Sequence, residues 1–254
     1  MARGIAVVRC FGADRPLMSL SDVAEATGLA RPTARRILLT LAELGYVEQI
    51  DGRHRLTPRV LELGMAYVRG QGLWDVARPH MERLVGQTRE SSSVAQLDGS
   101  DIVYVARVAV AKIITFAVSI GTRFPALQTS LGKVLLADLD PAELERVLAL
   151  ESRSGIEPRW QPDRAERDGA LREVRARGWA VADEDLAPGI RSISAPLRGG
   201  DGRVLASLNV TVHAAETSRE TLLEAHLPRL LATASAISED LARYQAVPHV
   251  VAST

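Results

Sequence analysis

Apolar residues fall into two distinct rhythms within the first sixty positions. Residues 19–45 divide into helix, tight turn and helix. Ser21 suits the N-cap of the first helix, and Gly28 can adopt the left-handed conformation that ends it. Pro32 falls in the first turn of the second helix, where a missing N–H costs nothing. There Ala34, Ile37, Leu38, Leu41 and Leu44 recur at helical spacing and define a buried stripe, leaving Arg31, Thr33, Arg35, Arg36 and Thr40 towards solvent. The rhythm then changes. Tyr46–Ile50 and Arg53–Leu56 flank Asp51-Gly52, the residue pair a type I′ hairpin turn requires. In the implied register Val47 opposes Leu56 and Glu48 opposes Arg55, so Arg55 can be a cross-strand ion pair while Arg53 and His54 sit free near the tip. Helix, turn, helix and hairpin in this order predict a winged helix-turn-helix over residues 1–57.

Thr57-Pro58 offers an N-cap followed by proline, and the helix expected from Arg59 to Val68 is apolar nearly all round. Such a helix must bury more than one face, against its own domain and a partner subunit or between two domains of one chain. Residues 58–72 are read as this linker, ended by Gly70-Gln71-Gly72. From residue 73 to 254 helices and strands alternate. An amphipathic helix covers Trp74–Thr88, and strands are expected at Ser93–Leu97, Ile102–Val108 and Lys112–Ile120. Helices follow near 131–138, 141–150 and 163–177, strands near 179–184, 190–198 and 203–213, and a closing helix from about 217 to 244. Hairpin-connected strands with helices grouped around them predict an α+β sandwich on a mostly antiparallel sheet.

Composition narrows the class of protein. The 254 residues are 46% apolar, enough for a core in each of two domains, and no run approaches a membrane span. The start of the chain lacks the apolar core of a signal peptide, so a cytoplasmic protein with no membrane partner is expected. A single cysteine, Cys10, excludes an internal disulfide and a thiolate metal cage. Basic and acidic residues number 31 each, which argues against nucleic acid as partner only until the chain is divided. Up to residue 78 there are 11 arginines and 8 acids; beyond it the excess reverses. Arg31, Arg35, Arg36, Arg53, Arg55 and Arg59 cluster in the predicted winged domain.

Those arginines have two readings, a solvated surface or a DNA face. A recognition helix presents its N-terminal part to the major groove, where arginine bonds guanine in bidentate fashion and threonine touches base edges or phosphate. Ser21, Arg31, Thr33, Arg35, Arg36, Thr40, Arg53 and His54 are accordingly the candidate contacts to double-stranded operator DNA. Catalytic machinery is not visible: there is no G-x-S-x-G, H-E-x-x-H or G-x-G-x-x-G, and Thr129-Ser130-Leu131-Gly132-Lys133-Val134 lacks the features of a phosphate loop. No cofactor or metal site is expected. Alternation in Ala206–His213 sets Leu208, Val210 and Val212 on one face and Ser207, Asn209, Thr211 and His213 on the other, a solvent face or a polar-lined pocket. Thr129-Ser130 at a helix start favour an anion there. Arg191, in Gly189-Ile190-Arg191-Ser192, can pair with a carboxylate, and Arg107 in its apolar strand can bind an acid or form a structural ion pair.

Taken together, Ser19–Leu44, Gly121-Thr122-Arg123-Phe124-Pro125, Thr129–Lys133, Arg177-Gly178-Trp179-Ala180, Asp183-Glu184-Asp185 and Gly189–Ser192 resemble the IclR family of bacterial transcription factors across essentially the whole chain. Arg35–Leu41, Leu56–Gly64, Asp98–Val108 and Leu208–His213 are most similar to its branch controlling protocatechuate and 4-hydroxybenzoate catabolism. The resemblance implies a winged domain, a dimerising linker helix and a GAF-like effector-binding domain, assembled as a homodimer or dimer of dimers. It implies a small organic acid held by Thr129, Ser130, Leu131, Ser192, Asn209 and Thr211, with Arg107, Arg191 and His213 as further candidates. Ala182, where some relatives have an acid, and Ser130-Leu131, where some have Gly-Ala, fit a larger or aromatic carboxylate better than glyoxylate or pyruvate. The expected function is ligand-responsive control of a catabolic operon. The alternative is an enzyme or sensor whose winged domain serves protein contacts.

Overall fold

The computed structural model describes residues 1–12, 14–64, 67, 72–110 and 118–246. The chain forms two compact units, Met1–Gly70 and Gln71–Thr254. In the first, helix α1 (Ala2–Arg9) precedes strand β1 (Met18–Ser19), helices α2 (Leu20–Thr27) and α3 (Arg31–Glu43), and strands β2 (Val47–Ile50) and β3 (Arg53–Leu56). Val7, Phe11, Met18, Val23, Ala24, Ala34, Leu38 and Val47 make its core. The hairpin has the expected register, Val47 opposite Leu56 and Glu48 opposite Arg55. Asp51 and Gly52 carry φ of 49° and 78°, the paired positive values of a type I′ turn.

Two details differ from expectation. The N-cap of α2 is Ser19, not Ser21: its side chain accepts from the Asp22 amide while Asp22 accepts from the Ser19 amide, a complete capping box. Hydrogen bonding from Ser19 to the carboxyl, its amide first and its side chain second, holds Asp22 below its ordinary value. Leu44, expected in the buried stripe of α3, is 51% exposed, because the helix ends at Glu43 and the chain turns away to the wing. β1 pairs with β3 to complete a three-stranded sheet.

After Leu56 the chain makes a 3₁₀ turn, Pro58–Val60, capped by the Thr57 hydroxyl, and residues 61–64 and 67 are helical. Met65, Ala66, Val68 and Gly70-Gln71 of the expected linker lie outside the described residues. Leu61, Leu63 and Tyr67 are exposed.

The second unit is an antiparallel sheet of six strands in the order β6-β5-β4-β9-β8-β7, formed by β4 (Ser91–Asp98), β5 (Asp101–Val108), β6 (Arg123–Pro125), β7 (Ala180–Asp183), β8 (Ile190–Arg198) and β9 (Val204–His213). Helix α4 (Leu73–Thr88) and the closing helix, here α8 (Leu227–Ala246), cover one face, where Leu208, Val210, Val212 and Ile193 meet Met81, Leu84, Leu230 and Ile237. The other face carries α5 (Ser130–Asp138), which packs on it and against α7 (Arg164–Arg177); α6 (Pro141–Leu148) lies between these two in the chain. The sheet is thus covered on both sides, and Ser207 and Asn209 are buried rather than facing solvent. Of the expected strand Lys112–Ile120, residues 112–117 lie outside the described residues and 118–120 are not strand; β6 is the edge strand beside β5.

Candidate functional site

The first unit presents a row of cations on α3 and the wing. Arg31, Arg35 and Arg36 are exposed at the N-terminal half of α3, Thr33 is half-buried and Ser21 is exposed on α2. Among the described residues no carboxylate pairs with Arg31, Arg35, Arg36 or Arg53. Thr40 is exposed but its hydroxyl donates to the Arg36 carbonyl at 3.1 Å. Arg55 bonds Glu48 at 2.6 Å, as its register anticipates. His54 does not sit free at the tip: pairing of β3 with both β1 and β2 turns it to the inner face with Leu56, half-buried, and its Nδ1 is buried with no partner among the described residues.

The second unit holds a cavity of about 210 Å³ beneath the start of α5. Sheet register builds its floor. Arg107 lies opposite Ser93, Ser93 opposite Asn209, and Asn209 opposite Ser194, one polar row across β5, β4, β9 and β8. Hydrogen bonds hold the row: Arg107 donates to Ser93 Oγ at 3.1 Å, the Ser93 amide to Asn209 Oδ1 at 2.8 Å, and Asn209 Nδ2 to Thr211 at 2.8 Å. A second row holds Ser91, Thr211, Ser192 and Ala182.

Helix α5 supplies the roof at the β8 end. The Thr129 hydroxyl accepts from the Gly132 amide at 2.9 Å, and Ser130 Oγ lies 2.7 Å from the hydroxyls of Ser192 and Ser194. The amides of Ser130 and Leu131, in the first turn, have no acceptor among the described residues, so two donors and the positive end of the helix dipole meet at this end of the cavity. Lys133, one turn on, points elsewhere: it bonds Asp185 at 2.5 Å and lies over the Trp160 ring. This is a clamp between α5 and the loop after β7.

Of the residues expected to hold the effector, Arg107, Thr129, Ser130, Leu131, Ser192, Asn209, Thr211 and His213 all line this cavity. Arg191 does not. Strand alternation turns it to the opposite side from Ser192, where it bonds Asp183 at 2.6 Å and the Thr217 carbonyl at 2.7 Å. Arg107 is the cation at the cavity instead, and no carboxylate pairs with it among the described residues. Its burial pulls its pKa down, opposed by nearby Tyr104. Glu90, Tyr104, Phe124 and Gln128 also line the space and were not anticipated. Tyr104 and Phe124 meet edge to face with centroids 5.7 Å apart. Burial pushes the Tyr104 hydroxyl up to about 12. Among the described residues no cluster of His, Cys, Asp and Glu could hold a metal ion.

Residues 1–51 match the IclR helix-turn-helix domain, and residues 65–239 match the family described as bacterial transcriptional regulator IclR C-terminal. The chain is 37% identical over 243 residues to the Pca regulon regulatory protein of Pseudomonas putida, covering 95% of this chain and 83% of that one. It is 30% identical over 240 residues to the p-hydroxybenzoate hydroxylase transcriptional activator of Acinetobacter baylyi, covering 92% and 89%. A transcriptional regulator of Rhodococcus sp. RHA1 shares the fold with TM-score 0.84 and 49% identity over 96% of this chain and 98% of that one. An IclR homologue of Microbacterium hydrocarbonoxydans, solved with 4-hydroxybenzoate, aligns with TM-score 0.81 and 27% identity over 94% and 98%. With both domains matched and relatives similar along nearly its whole length, the chain belongs to the IclR family of bacterial transcriptional regulators.

Proposed function

We propose that this chain controls an operon for aromatic acid catabolism and that its second unit senses an aromatic carboxylic acid. The observation that carries the effector reading is the cavity itself: apolar walls including Leu131, Val118 and Phe124, unpaired amides at the start of α5, and Arg107 without a carboxylate partner among the described residues. An engineered apolar cavity of roughly 150 Å³ admits benzene, so about 210 Å³ leaves room for one ring and its substituents. The carboxylate sits at the start of α5, taking the Ser130 and Leu131 amides and the nearby hydroxyls. The relatives named for the Pca regulon and for p-hydroxybenzoate hydroxylase, and the homologue solved with 4-hydroxybenzoate, support the same chemical class.

The DNA side of the proposal rests on α3 and the wing. Arg31, Thr33, Arg35 and Arg36 read base edges in the major groove, Arg53 meets phosphate, and Ser21 and Thr40 contact the backbone nearby. Two chains joined through the exposed face of the linker read two half-sites, and bound acid shifts the spacing that fits. A thermal-shift panel tests the effector reading. An acid at a hundred times its dissociation constant adds about 2.7 kcal/mol to stability, so 4-hydroxybenzoate or protocatechuate raises the melting temperature by several degrees while pyruvate leaves it unchanged. A flat response across aromatic acids, β-ketoadipate and simple keto acids rejects it. That result would favour a constitutive DNA-binding protein whose second unit only assembles.

A further inference from the structure

Tyr104 and Arg107 are three residues apart on one strand, and regular alternation would place them on opposite faces. They share a face because the β4–β5 pairing slips: Ala106 opposes Val94, but Tyr104 opposes Ala95. Val105 is the extra residue of a β-bulge, a device that re-aims side chains beside functional sites. Its effect here is to bring a hydroxyl and a guanidinium to the same end of the cavity.

Both groups arrive with capacity to spare. The Tyr104 ring is buried against Phe124, yet its hydroxyl has no hydrogen-bond partner among the described residues and borders the cavity. Among the described residues Arg107 makes one side-chain hydrogen bond, to Ser93. Unlike the Ser100 hydroxyl, that of Tyr104 is not sealed inside the protein, so it stands open to a polar group brought by the ligand. A phenol is protonated through the neutral range, and burial raises its pKa further, so the hydroxyl can donate as well as accept. This end lies on β5, and the serines under α5 lie on β8, three strand spacings or roughly 14 Å apart across the sheet.

We infer that the cavity recognises its effector at both ends, and that Tyr104, with Arg107, is the specificity-determining residue for an oxygen substituent on the ring opposite the carboxylate. This rests on the proposal that the carboxylate occupies the α5 end. The ligand class is then narrower than aromatic acid: a ring carrying a hydroxyl across from its carboxylate satisfies Tyr104 and Arg107, whereas an unsubstituted ring leaves both unmet. Phe124, edge-on to Tyr104, holds the phenol ring in place, so removing the hydroxyl alone leaves the packing intact.

Calorimetric titration of the full chain and its Tyr104→Phe variant with 4-hydroxybenzoate and with benzoate separates the possibilities. The wild type should prefer 4-hydroxybenzoate, and the variant should lose roughly three- to tenfold in affinity for it while binding benzoate as before, the size of one neutral hydrogen bond. Unchanged 4-hydroxybenzoate affinity in the variant overturns the inference. So does an equal loss for both acids, which would place the carboxylate rather than the hydroxyl at Tyr104. Failure of the wild-type chain to bind either acid overturns the aromatic-acid reading itself, and the inference with it.

Discussion

At the scale of single residues, position on a strand or helix decides what a charge does. Arg35 and Arg53 are both exposed, but one projects from the N-terminal half of α3, the proposed recognition helix, and the other from the wing. Arg35→Ala should therefore weaken operator binding by about 1–3 kcal/mol and relax base preference at one position. Arg53→Ala should weaken all sequences alike and shallow the salt dependence by about one counterion; gel shifts on operator variants at several salt concentrations distinguish these, and sequence-independent loss from both changes would remove the base-reading role of Arg35. In the sequence both Arg107, inside an apolar strand, and Arg191, at the start of another, are candidates to bind an acid. Alternation points Arg191 at Asp183, and a bulge points Arg107 into the cavity, which no local pattern announces. The same bulge hid Tyr104. Its hydroxyl titrates near 12 in the folded chain against about 10 when unfolded, so between those values the unfolded chain loses the proton first and stability falls as pH rises. At order of magnitude the loss reaches 2–3 kcal/mol. The stability of wild type relative to Tyr104→Phe should therefore fall by this amount towards pH 12, and parallel curves would contradict the buried phenol.

At the scale of elements, local signals were readable where one segment satisfied them and misread where two candidates competed. The wing was clear because Asp51-Gly52 both requires and permits the I′ turn, and the register followed from alternation alone. Ser19 and Ser21 flank the first residue of α2, Leu20, and either serine could cap it. The deciding residue is Asp22, three after Ser19 and able to complete the box, where three after Ser21 stands only Ala24. Ser19→Ala should cost about 1 kcal/mol in chemical denaturation and Ser21→Ala a few tenths at most. The start of α5 depends on a contact that sequence does not display. A Cβ on Gly132 would lie 2.0 Å from the Ala126 carbonyl oxygen, so the glycine in Thr129–Lys133 serves close packing of the preceding 3₁₀ turn, Ala126–Gln128, rather than phosphate. Gly132→Ala must push that turn and the Ser130 amide apart. The expected result is a loss of about 1–3 kcal/mol in stability together with loss of effector binding by calorimetry, and wild-type affinity in the variant would detach the helix start from the effector site.

For the whole molecule, zero net charge conceals a division of labour. Residues 1–70 carry ten arginines against seven acids, and residues 71–254 carry 21 bases against 24 acids. An excess of three positive charges is modest for a DNA-binding unit, so one copy gains little from phosphate attraction alone, which is why the proposed function relies on two copies on paired half-sites. The linker offers the means. Leu61, Leu63 and Tyr67 are 69%, 54% and 51% exposed in the single chain, a set of apolar side chains that water disfavours and a second copy can cover. Replacing Leu61 and Leu63 together with aspartate should shift the chain to a monomer in sedimentation while leaving its fold, followed by circular dichroism, unchanged. Binding to a single half-site should then equal that of the unaltered chain, while affinity for the full palindrome falls to the half-site value, a drop of a hundredfold or more if two half-sites act together on the order of 3 kcal/mol. A variant that stays dimeric, or a monomer that retains full palindrome affinity, would refute the linker as the element that converts a neutral chain into a selective DNA-binding protein.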